Sequence, residues 1–265
     1  MLRAYNNWLA QQGFARFRIM IKILVPVSGG KDSQSCLKLA LQHQDRSLVR
    51  GLFCDTQFEH PLTYKHIEWM RKHYNVEIDV VTGGSVLEKT LKYKRFPGGG
   101  ARHCTDELKI RETRIYCKEL AEKQGEGFEV WYGMRSDESS QRKKRYEDKL
   151  DTVLYPPHEV LPRKYPKYLS EKLGVYFRLP ILNWTSESVL NFLAGEENPL
   201  YKEGFNRVGC FPCLAAGDQY KRKAFEHDAF GKEQYIKVIE VGKKINKDIW
   251  TSKKEKLQGC LICEI

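Results

Sequence analysis

The stretch Ile21-Lys-Ile-Leu-Val-Pro-Val27 is followed at once by Ser28-Gly-Gly-Lys-Asp-Ser33. The first part is a short, β-branched apolar run, which predicts a strand buried on both faces. The second part leads into a helical pattern over residues 32–42. A strand that turns through glycines into a helix N-terminus offers free backbone N–H groups and a positive dipole end to a phosphate. We therefore predict a phosphate-binding loop, rather than an ordinary turn, formed by Ser28, Gly29, Gly30, Lys31, Asp32 and Ser33.

Strand and helix patterns alternate beyond this loop. Further strands are predicted at residues 48–54, 76–81, 128–134 and 177–182, with a helix over residues 60–73 and another after Thr185. This alternation predicts a parallel sheet with right-handed crossovers. Ligands of such sheets bind outside the carboxyl ends of the strands, which is where the loop, Asp55 and Gly133 fall.

Composition divides the chain into three parts. Residues 1–19 are expected to form an N-terminal helix, residues 20–204 a nucleotide-binding α/β domain, and residues 205–265 a small helical, cysteine-containing appendage. Residues 143–172 are polar and contain several prolines, which favours an excursion or a partner-binding insert. Residues 92–101 are basic and glycine-rich, as expected of a lid or a plain linker. The segment from Arg102 to Ile110 is expected to enter a helix, with Thr105 or Asp106 near its cap.

The charge balance is strongly basic. The net charge is +11 and the pI is about 9.2, which favours a polyanionic partner such as DNA or tRNA, because neutralising phosphates releases counterions. No apolar run approaches the roughly 20 residues of a membrane span, and no apolar signal segment follows Met1. We expect a cytoplasmic protein without a membrane partner.

The cysteines point to a metal site. Four of the eight fall in two pairs, Cys210-Phe-Pro-Cys213 and Cys260-Leu-Ile-Cys263, and disulfides are rare in the cytosol. Four thiolates in Cys-x2-Cys pairs predict a bound metal but do not choose zinc over an iron–sulfur cluster. Cys36 and Cys117 lie within helical patterns and are expected to be packing residues.

Several motifs occur in one order along the chain. They are Ser28-Gly-Gly-Lys-Asp-Ser33, Asp55-Thr56, Arg102-His-Cys-Thr105 with Leu108-Lys-Ile110, Gly133-x-Arg135-x-x-Glu138-Ser139-x-x-Arg142, Pro180-Ile-x-x-Trp184-Thr185, and Asn198-Pro-Leu-Tyr201 through Gly209-Cys210-x-x-Cys213. The first resembles the pyrophosphate loop of the N-type ATP pyrophosphatases (the PP-loop). Together, over residues 20–215, the motifs resemble the phosphoadenosine phosphosulfate reductase-like superfamily. The resemblance implies a doubly wound, Rossmann-like α/β domain of the adenine nucleotide alpha hydrolase type.

The resemblance also implies an enzyme that binds ATP with Mg²⁺ and activates an oxygen by adenylation. Arg135 and Arg142 carry guanidinium forks that suit phosphate or sulfate oxygens, although Arg142 also opens a basic run that suits a solvated surface. Lys109 is expected to add charge near the transferred group, unless it is a helix-surface lysine. Asp55 is expected to hold a ribose hydroxyl or a magnesium-bound water, unless it only caps its turn. Lys31, Asp32 and Cys104 complete the predicted catalytic set.

Two activities compete within this superfamily. Its sulfonucleotide reductases carry a C-terminal Glu-Cys-Gly-Leu/Ile-His motif, whereas this sequence ends Gly259-Cys-Leu-Ile-Cys-Glu-Ile265. The DNA phosphorothioation sulfurtransferases are similar in the Cys-Thr…Leu-Lys-Ile segment, and their chemistry suits a basic surface. We therefore expect ATP-dependent sulfur transfer to nucleic acid. A sulfonucleotide reductase, a tRNA-thiolation enzyme and a nucleic-acid-binding adaptor without turnover are the alternatives.

The resemblance bears on the metal too. We expect a [4Fe–4S] cluster held by Cys210, Cys213, Cys260 and Cys263, with Zn²⁺ as the alternative. Cys104 is then a nearby sulfur-handling or structural thiol. A different set, Cys104 with Cys210 and Cys213, would leave one iron open. A further alternative is that Cys260 and Cys263 are reduced thiols in a frayed tail. The sulfur donor is expected to be a protein such as a cysteine desulfurase.

Overall fold

The core of the protein is a five-stranded, wholly parallel sheet. The computed structural model describes residues 20–98 and 102–251. In chain order the strands are β1 Ile23–Val27, β2 Val49–Asp55, β3 Ile78–Thr82, β4 Glu129–Trp131 and β5 Tyr176–Arg178. Their order across the sheet is β3-β2-β1-β4-β5, and every neighbouring pair is parallel. The prediction of a doubly wound α/β fold is confirmed.

Eleven α-helices are present in the described residues, with short 3₁₀ and π turns between them. In chain order they are α1 Lys31–His43, α2 Pro61–His73, α3 Val86–Tyr93, α4 His103–Thr105, α5 Arg111–Gln124, α6 Ser140–Arg145, α7 Pro157–Val160, α8 Tyr168–Glu171, α9 Ser186–Leu193, α10 Asp218–Glu226 and α11 Ala229–Ile245. No helix in residues 20–98 and 102–251 has both the length and the apolar character that a bilayer crossing requires.

Both faces of the sheet are buried. On one face, side chains of β1 such as Val25 pack with Leu37 of α1 and Met70 of α2. On the other face, Leu24 packs with Cys117 of α5. Adjacent residues of β1 therefore enter opposite cores, as the continuous apolar run predicts for a strand buried on both sides. Cys36 and Cys117 are fully buried packing residues, as expected.

The chain leaves β1 in one direction along the sheet and returns to pair β4 on its other side. Ile23 of β1 pairs with Val49 of β2 and with Glu129 of β4. This is the point at which the strand order reverses, and the crevice at the carboxyl ends of the two strands that flank it is where doubly wound sheets bind their ligands. The loop of residues 28–30 leaves β1 into this crevice.

Segment 143–172 packs part of its length into the second core, and its interpretation as an excursion or a partner-binding insert stays a prediction. Tyr155, Val160 and Leu169 are buried and pack with the sheet residue Phe177. The N–H of Tyr155 donates to the carbonyl of Phe177 at 2.8 Å. The prolines of the segment and several of its charged residues lie between these buried residues. A few apolar contacts therefore hold a largely polar segment against the sheet.

Thr105 and Asp106 lie within four residues of Arg102, the N-cap residue, as expected, but neither caps the helix. Helix α4 already begins at His103 and continues through a π-helical turn, Asp106–Ile110, into α5. Thr105 and Asp106 have helical backbone angles and make no side-chain cap. By contrast, Thr185 does cap α9, since its hydroxyl accepts the N–H of Ser188 at 3.0 Å.

Helices α10 and α11 pack on the sheet domain. Phe225 of α10 and Val238 of α11 share a core with Phe58 and Leu108. His60 donates from Nε2 to Asp228 at 2.8 Å, because its Nδ1 already accepts the N–H of Leu62. The expected helix over residues 1–19 lies outside the described residues, as do residues 99–101 of the predicted lid, and the three-part division of the chain stays a prediction.

Candidate nucleotide-binding site

The loop after β1 is a tight backbone cradle. Gly29 has φ of +72°, and a Cβ there would lie 2.6 Å from Cγ2 of Thr63, so both the conformation and the space favour glycine. The Ser33 hydroxyl donates to the carbonyl of Gly30 at 2.9 Å and accepts the N–H of Ser28 at 3.1 Å. These bonds hold the turn closed with the N-terminus of α1 facing the crevice, as an anion site requires.

A second close approach fixes the loop from β4. A Cβ on Gly133 would lie 2.7 Å from the carbonyl oxygen of Asp32 and 2.9 Å from the nitrogen of Ser33. Gly133 therefore lets the end of β4 touch the first turn of α1. The sequence predicts Gly133 in the site, and the structure assigns it this packing role.

Lys31, Asp32 and Arg135 form one buried charge group beside the loop. The Asp32 carboxylate accepts from Lys31 Nζ at 3.2 Å and from Arg135 Nε at 2.8 Å. Arg135 is only 4% exposed, and its Nη1 donates to the Trp184 carbonyl at 3.3 Å. Within the described residues Nη2 has no acceptor, so one arm of the guanidinium is available to a phosphate oxygen.

Two side chains from the segment after α9 frame the loop. The N–H of Lys31 donates to the hydroxyl of Tyr201 at 3.0 Å. Asn198 donates from Nδ2 to the carbonyl of Gly29 at 3.2 Å. Burial raises the pKa of Tyr201, so its hydroxyl stays protonated. The sequence shows the motif Asn198-Pro-Leu-Tyr201, but its role as the far wall of the loop depends on contacts about 170 residues apart.

Asp55 ends β2 and caps the turn that follows. Its Oδ1 accepts the N–H of Gln57 at 2.8 Å and the hydroxyl of Tyr64 at 2.8 Å. Its carboxylate raises the pKa of Tyr64, after the larger effect of burial. Turn capping, the simpler of the two interpretations of Asp55, is what the structure shows. A contact of Asp55 with ribose or with a magnesium-bound water stays a prediction.

Arg142 lies near the mouth of the site on α6. It pairs with Glu138, and Ser139 caps its helix. Burial lowers the pKa of Arg142, and Arg207 and Arg145 lower it further while Asp32 opposes them. The guanidinium is therefore within electrostatic reach of both the loop carboxylate and Arg207, which the sequence analysis did not single out.

The structure also brings several cysteines together around Lys109. Cys210, Cys104 and Cys54 each raise the pKa of Lys109, with Cys210 the largest influence. Burial raises the pKa of Cys210 to about 12, against the opposing effect of Lys109. Cys104 is half-buried, and after burial the largest influence that raises its pKa is Cys213. Lys109 is therefore the cation of the cysteine group, rather than a free helix-surface lysine.

Glu59 is a buried carboxylate that the sequence analysis missed. It is 2% exposed and pairs with Cys210 as an antiparallel bridge. Its oxygens accept from the Thr56 hydroxyl at 2.7 Å and from the N–H of Phe58 at 3.1 Å. The Tyr64 hydroxyl lies 3.4 Å from Glu59 and 2.8 Å from Asp55, so it links the cysteine group to the end of β2. An acidic residue before Pro61 carries no sequence signal of burial.

The predicted four-thiolate metal site is only half within the described residues. Cys210 and Cys213 are half-buried, and Cys260 and Cys263 lie outside residues 20–98 and 102–251. In that described part, no three histidine, cysteine or acidic side chains are grouped as a metal site. The donor chemistry of Cys210, Cys213 and Cys104 suits zinc or iron–sulfur, and completing a site would require ligands from elsewhere.

Comparison with known proteins gives distant relatives. An uncharacterized protein of Methanocaldococcus jannaschii is 29% identical over 201 residues, which cover 75% of this chain and 37% of that protein. The phosphoadenosine 5'-phosphosulfate reductase of Buchnera aphidicola is 24% identical over 184 residues, 66% of this chain and 64% of that protein. This chain therefore spans between about a third and two thirds of these relatives.

Among solved structures, the U34-tRNA thiolase of Methanococcus maripaludis with its [4Fe–4S] cluster is similar at 16% identity, over 92% of this chain and 75% of that chain. The TM-score is 0.45. We draw no functional conclusion from similarity at this level.

The family is decided by a match over most of the chain. Residues 22–216 match the model of the phosphoadenosine phosphosulfate reductase domain. This range contains the loop, Arg135, Asn198, Tyr201 and both cysteines of the Cys-Phe-Pro-Cys motif. The chain belongs to the phosphoadenosine phosphosulfate reductase domain family.

Proposed function

We propose that this protein is an ATP pyrophosphatase that adenylates an oxygen of a nucleic-acid acceptor and prepares it for sulfur transfer, as in DNA phosphorothioation. One observation carries the proposal. The N-terminus of α1, Lys31 and the free arm of Arg135 converge on the loop, while the cysteine group around Lys109 lies at the end of the neighbouring strand β2.

The first step uses the loop and Arg135 and does not involve the cysteine group. The acceptor oxygen attacks the α-phosphorus of ATP, the bond to the bridging oxygen of the β-phosphate breaks, and pyrophosphate leaves. The backbone N–H groups of Gly29 and Gly30 and the Arg135 guanidinium stabilise the charge that develops on the leaving pyrophosphate. Asp32 holds Lys31 and Arg135 in place for this role, at 3.2 and 2.8 Å. Mg²⁺ would neutralise phosphate charge in the same crevice.

The second step replaces AMP with sulfur. If the acceptor is a backbone phosphate, the first product is a mixed anhydride with AMP. A cysteine desulfurase, the proposed sulfur donor, delivers its sulfur as a persulfide, which two external thiols reduce to hydrosulfide while they become a disulfide. Hydrosulfide then attacks the acceptor phosphorus, the bond from phosphorus to the AMP oxygen breaks, and AMP departs. The displacement itself needs no further oxidant or reductant, because sulfur enters at the oxidation level of sulfide.

A [4Fe–4S] cluster, which supplies a site for holding sulfide, is the cofactor we propose for the cysteine group; Zn²⁺ is the alternative. Cys210 and Cys213 would hold it, and Cys260 and Cys263 would complete it. Chain length permits this. Thr251 is fixed to Asp218, with its N–H 2.9 Å from that carboxylate. Cys213 lies five residues before Asp218, so the two are at most about 18 Å apart. Cys260 lies nine residues after Thr251, and an extended chain of that length reaches about 32 Å.

The cofactor is tested on protein purified without oxygen. We expect a broad absorption band near ~400 nm with about four irons and four sulfides per chain. Cys210→Ser and Cys263→Ser should each reduce the iron content, whereas the packing variant Cys36→Ser should retain it in whatever protein folds. Stoichiometric zinc, or full iron content in Cys263→Ser, would contradict the four-thiolate cluster.

The activity is tested by following pyrophosphate release from ATP and Mg²⁺, with and without single-stranded DNA or RNA. We expect pyrophosphate and AMP rather than phosphate and ADP. Lys31→Ala should lower the rate by at least about 100-fold, since it removes a cation from the leaving group. Arg46→Gln is the matched control, because Arg46 is exposed in the turn before β2, at the opposite edge of the sheet. Absence of pyrophosphate under every condition would refute the proposal.

A sulfonucleotide reductase is the second candidate, and the family match favours it. The Buchnera aphidicola relative is named a phosphoadenosine 5'-phosphosulfate reductase. This alternative predicts thioredoxin-dependent sulfite release from a sulfonucleotide and no consumption of ATP. The two candidates therefore give different products in parallel assays.

A further inference from the structure

The segment of residues 205–211 lies directly over the phosphate-binding loop. A Cβ on Gly30 would lie 3.1 Å from the carbonyl oxygen of Val208 and 3.4 Å from the Tyr201 hydroxyl. Phe205, Val208 and Phe211 are buried and hold the segment in a small core of their own. Whatever the segment exposes therefore stands at the rim of the loop.

The segment exposes Asn206 and Arg207, and Arg207 is its only cation. Its backbone is fixed, because the Tyr220 hydroxyl donates to the Arg207 carbonyl at 2.9 Å. Its side chain is exposed, and no carboxylate in the part of the chain that the structure describes forms an ion pair with it. An arginine held by its backbone, with an unpaired guanidinium, has its five donors available to an external anion.

Arg142 is on helix α6, which follows closely on Arg135, the residue that donates to Asp32 beside the loop. The pKa of Arg142 is lowered by Arg207, so the two guanidinium groups are close enough to repel each other. Arg142 has one carboxylate partner, Glu138. Arg142 and Arg207 with the single carboxylate of Glu138 leave a net positive charge, and binding an anion there relieves the repulsion between the two guanidinium groups.

An anion bound at this rim would be distinct from phosphates bound in the loop. The loop already supplies a helix N-terminus, Lys31 and Arg135, which suffice for a pyrophosphate group. Outward from Arg142, helix α6 continues with exposed cations, namely Lys143, Lys144 and Arg145. A cluster of exposed cations beside a nucleotide site suits a repeating anion, such as a nucleic-acid backbone.

We propose that Arg207 and Arg142 each contact a backbone phosphate of a single-stranded nucleic acid at the mouth of the loop, so that α6 and the segment over the loop form the two sides of the acceptor path. This inference rests on the proposed function for its acceptor class. Phosphate contacts of this kind position a strand without reading its sequence.

The expected effect follows from counterion release. Each contact with a single strand contributes about 0.7 to the slope of log K against log salt concentration. Loss of one contact should therefore lower affinity about fivefold at 0.1 M salt, and loss of two about 25-fold. The variants are Arg207→Gln, Arg142→Gln and their double. Arg207→Lys should restore the slope, and Arg46→Gln, with the same change in charge, should leave it unchanged.

The experiment measures fluorescence anisotropy of short labelled oligothymidylate and oligouridylate strands with the full chain between 0.05 and 0.3 M salt. We expect the slope to fall by about 0.7 in each single variant and about 1.4 in the double, with far-UV circular dichroism unchanged. Slopes equal to wild type in Arg207→Gln, or no binding of either strand by wild type, would overturn the inference. Normal slopes without pyrophosphate release from ATP would instead refute the proposed activity and leave the contacts intact.

Discussion

Replacing Gly133 with alanine tests how β4 positions the phosphate-binding loop. The added Cβ would lie 2.7 Å from the carbonyl oxygen of Asp32, 2.8 Å from its carbonyl carbon and 2.9 Å from the nitrogen of Ser33. Ordinary contacts are about 3.5 Å, so the first turn of α1 must move by roughly 0.7 Å. All three atoms belong to the backbone, and no side-chain rotation can relieve the contact. Overpacking of this kind costs about 1–3 kcal/mol of folding free energy.

The functional effect of Gly133→Ala should exceed the effect on stability. Displacing a catalytic group by about 1 Å can lower a rate about 100-fold, so we expect pyrophosphate release to fall by about 10- to 100-fold. The control is Gly217→Ala, where a Cβ would meet no atom within 4 Å and φ is −63°. The assays are urea unfolding and pyrophosphate release. A Gly133→Ala protein with wild-type rate and stability would refute the packing argument.

Three further predictions concern buried side chains. Arg135→Lys should lower kcat/KM for ATP by about 10- to 100-fold, because an ammonium group cannot bond Asp32 and a phosphate at once in the geometry of a guanidinium group. Arg46→Gln should leave kcat/KM unchanged. Wild-type kinetics in Arg135→Lys would exclude a contact of Arg135 with phosphate. Burial lowers the pKa of His66 to about 4, so between pH 6.5 and pH 4 the unfolded chain binds a proton that the folded chain does not. The free energy of unfolding should therefore fall by about 3 kcal/mol as the pH falls from 6.5 to 4. Urea unfolding should show that His66→Gln lacks this part of the pH dependence, and an equal dependence in both proteins would contradict it. Alkylation of the folded protein at pH 8 should leave Cys36 and Cys117 unmodified, because burial raises the pKa of both thiols. Mass spectrometry that finds either cysteine alkylated before the protein unfolds would contradict this prediction.

Local sequence predicts the loop and the sheet well. Residues 21–33 contain a strand, a glycine turn and a helix start in immediate succession, and each depends only on its neighbours. The helix after His60 begins at Pro61 as expected, since proline suits a first helical position. The loop residues and Arg135 lie together because parallel strands bring their carboxyl ends to one edge.

The walls of the site could not be predicted in the same way. Tyr201 meets Lys31 across 170 residues, and Glu59 meets Cys210 across 151. Neither contact leaves a periodic or compositional signal, because a single side chain makes each one. Arg207 reads as an ordinary surface cation until Val208 is seen to lie against Gly30. Long-range packing therefore determines which polar residues face the crevice.

Polar composition does not reveal how residues 143–172 are anchored to the sheet. Charges and prolines dominate the segment, yet Tyr155 pairs with β5 and Leu169 is fully buried. Irregular segments need only a few apolar anchors, and these have no period to detect. A similar limit applies at Thr105, a residue type that favours caps, which lies inside a helical run that continues through a π turn into α5.

The most direct test of the central claim follows the α-phosphorus of ATP. The protein, ATP labelled at the α-phosphate and single-stranded nucleic acid are incubated with Mg²⁺ in the absence of a sulfur donor, and the strand is separated from nucleotides. The account predicts label covalently attached to the strand, an equal amount of free pyrophosphate, and loss of both with Lys31→Ala. Label found only in ATP or ADP, with an unlabelled strand, would contradict adenylation of a nucleic-acid acceptor.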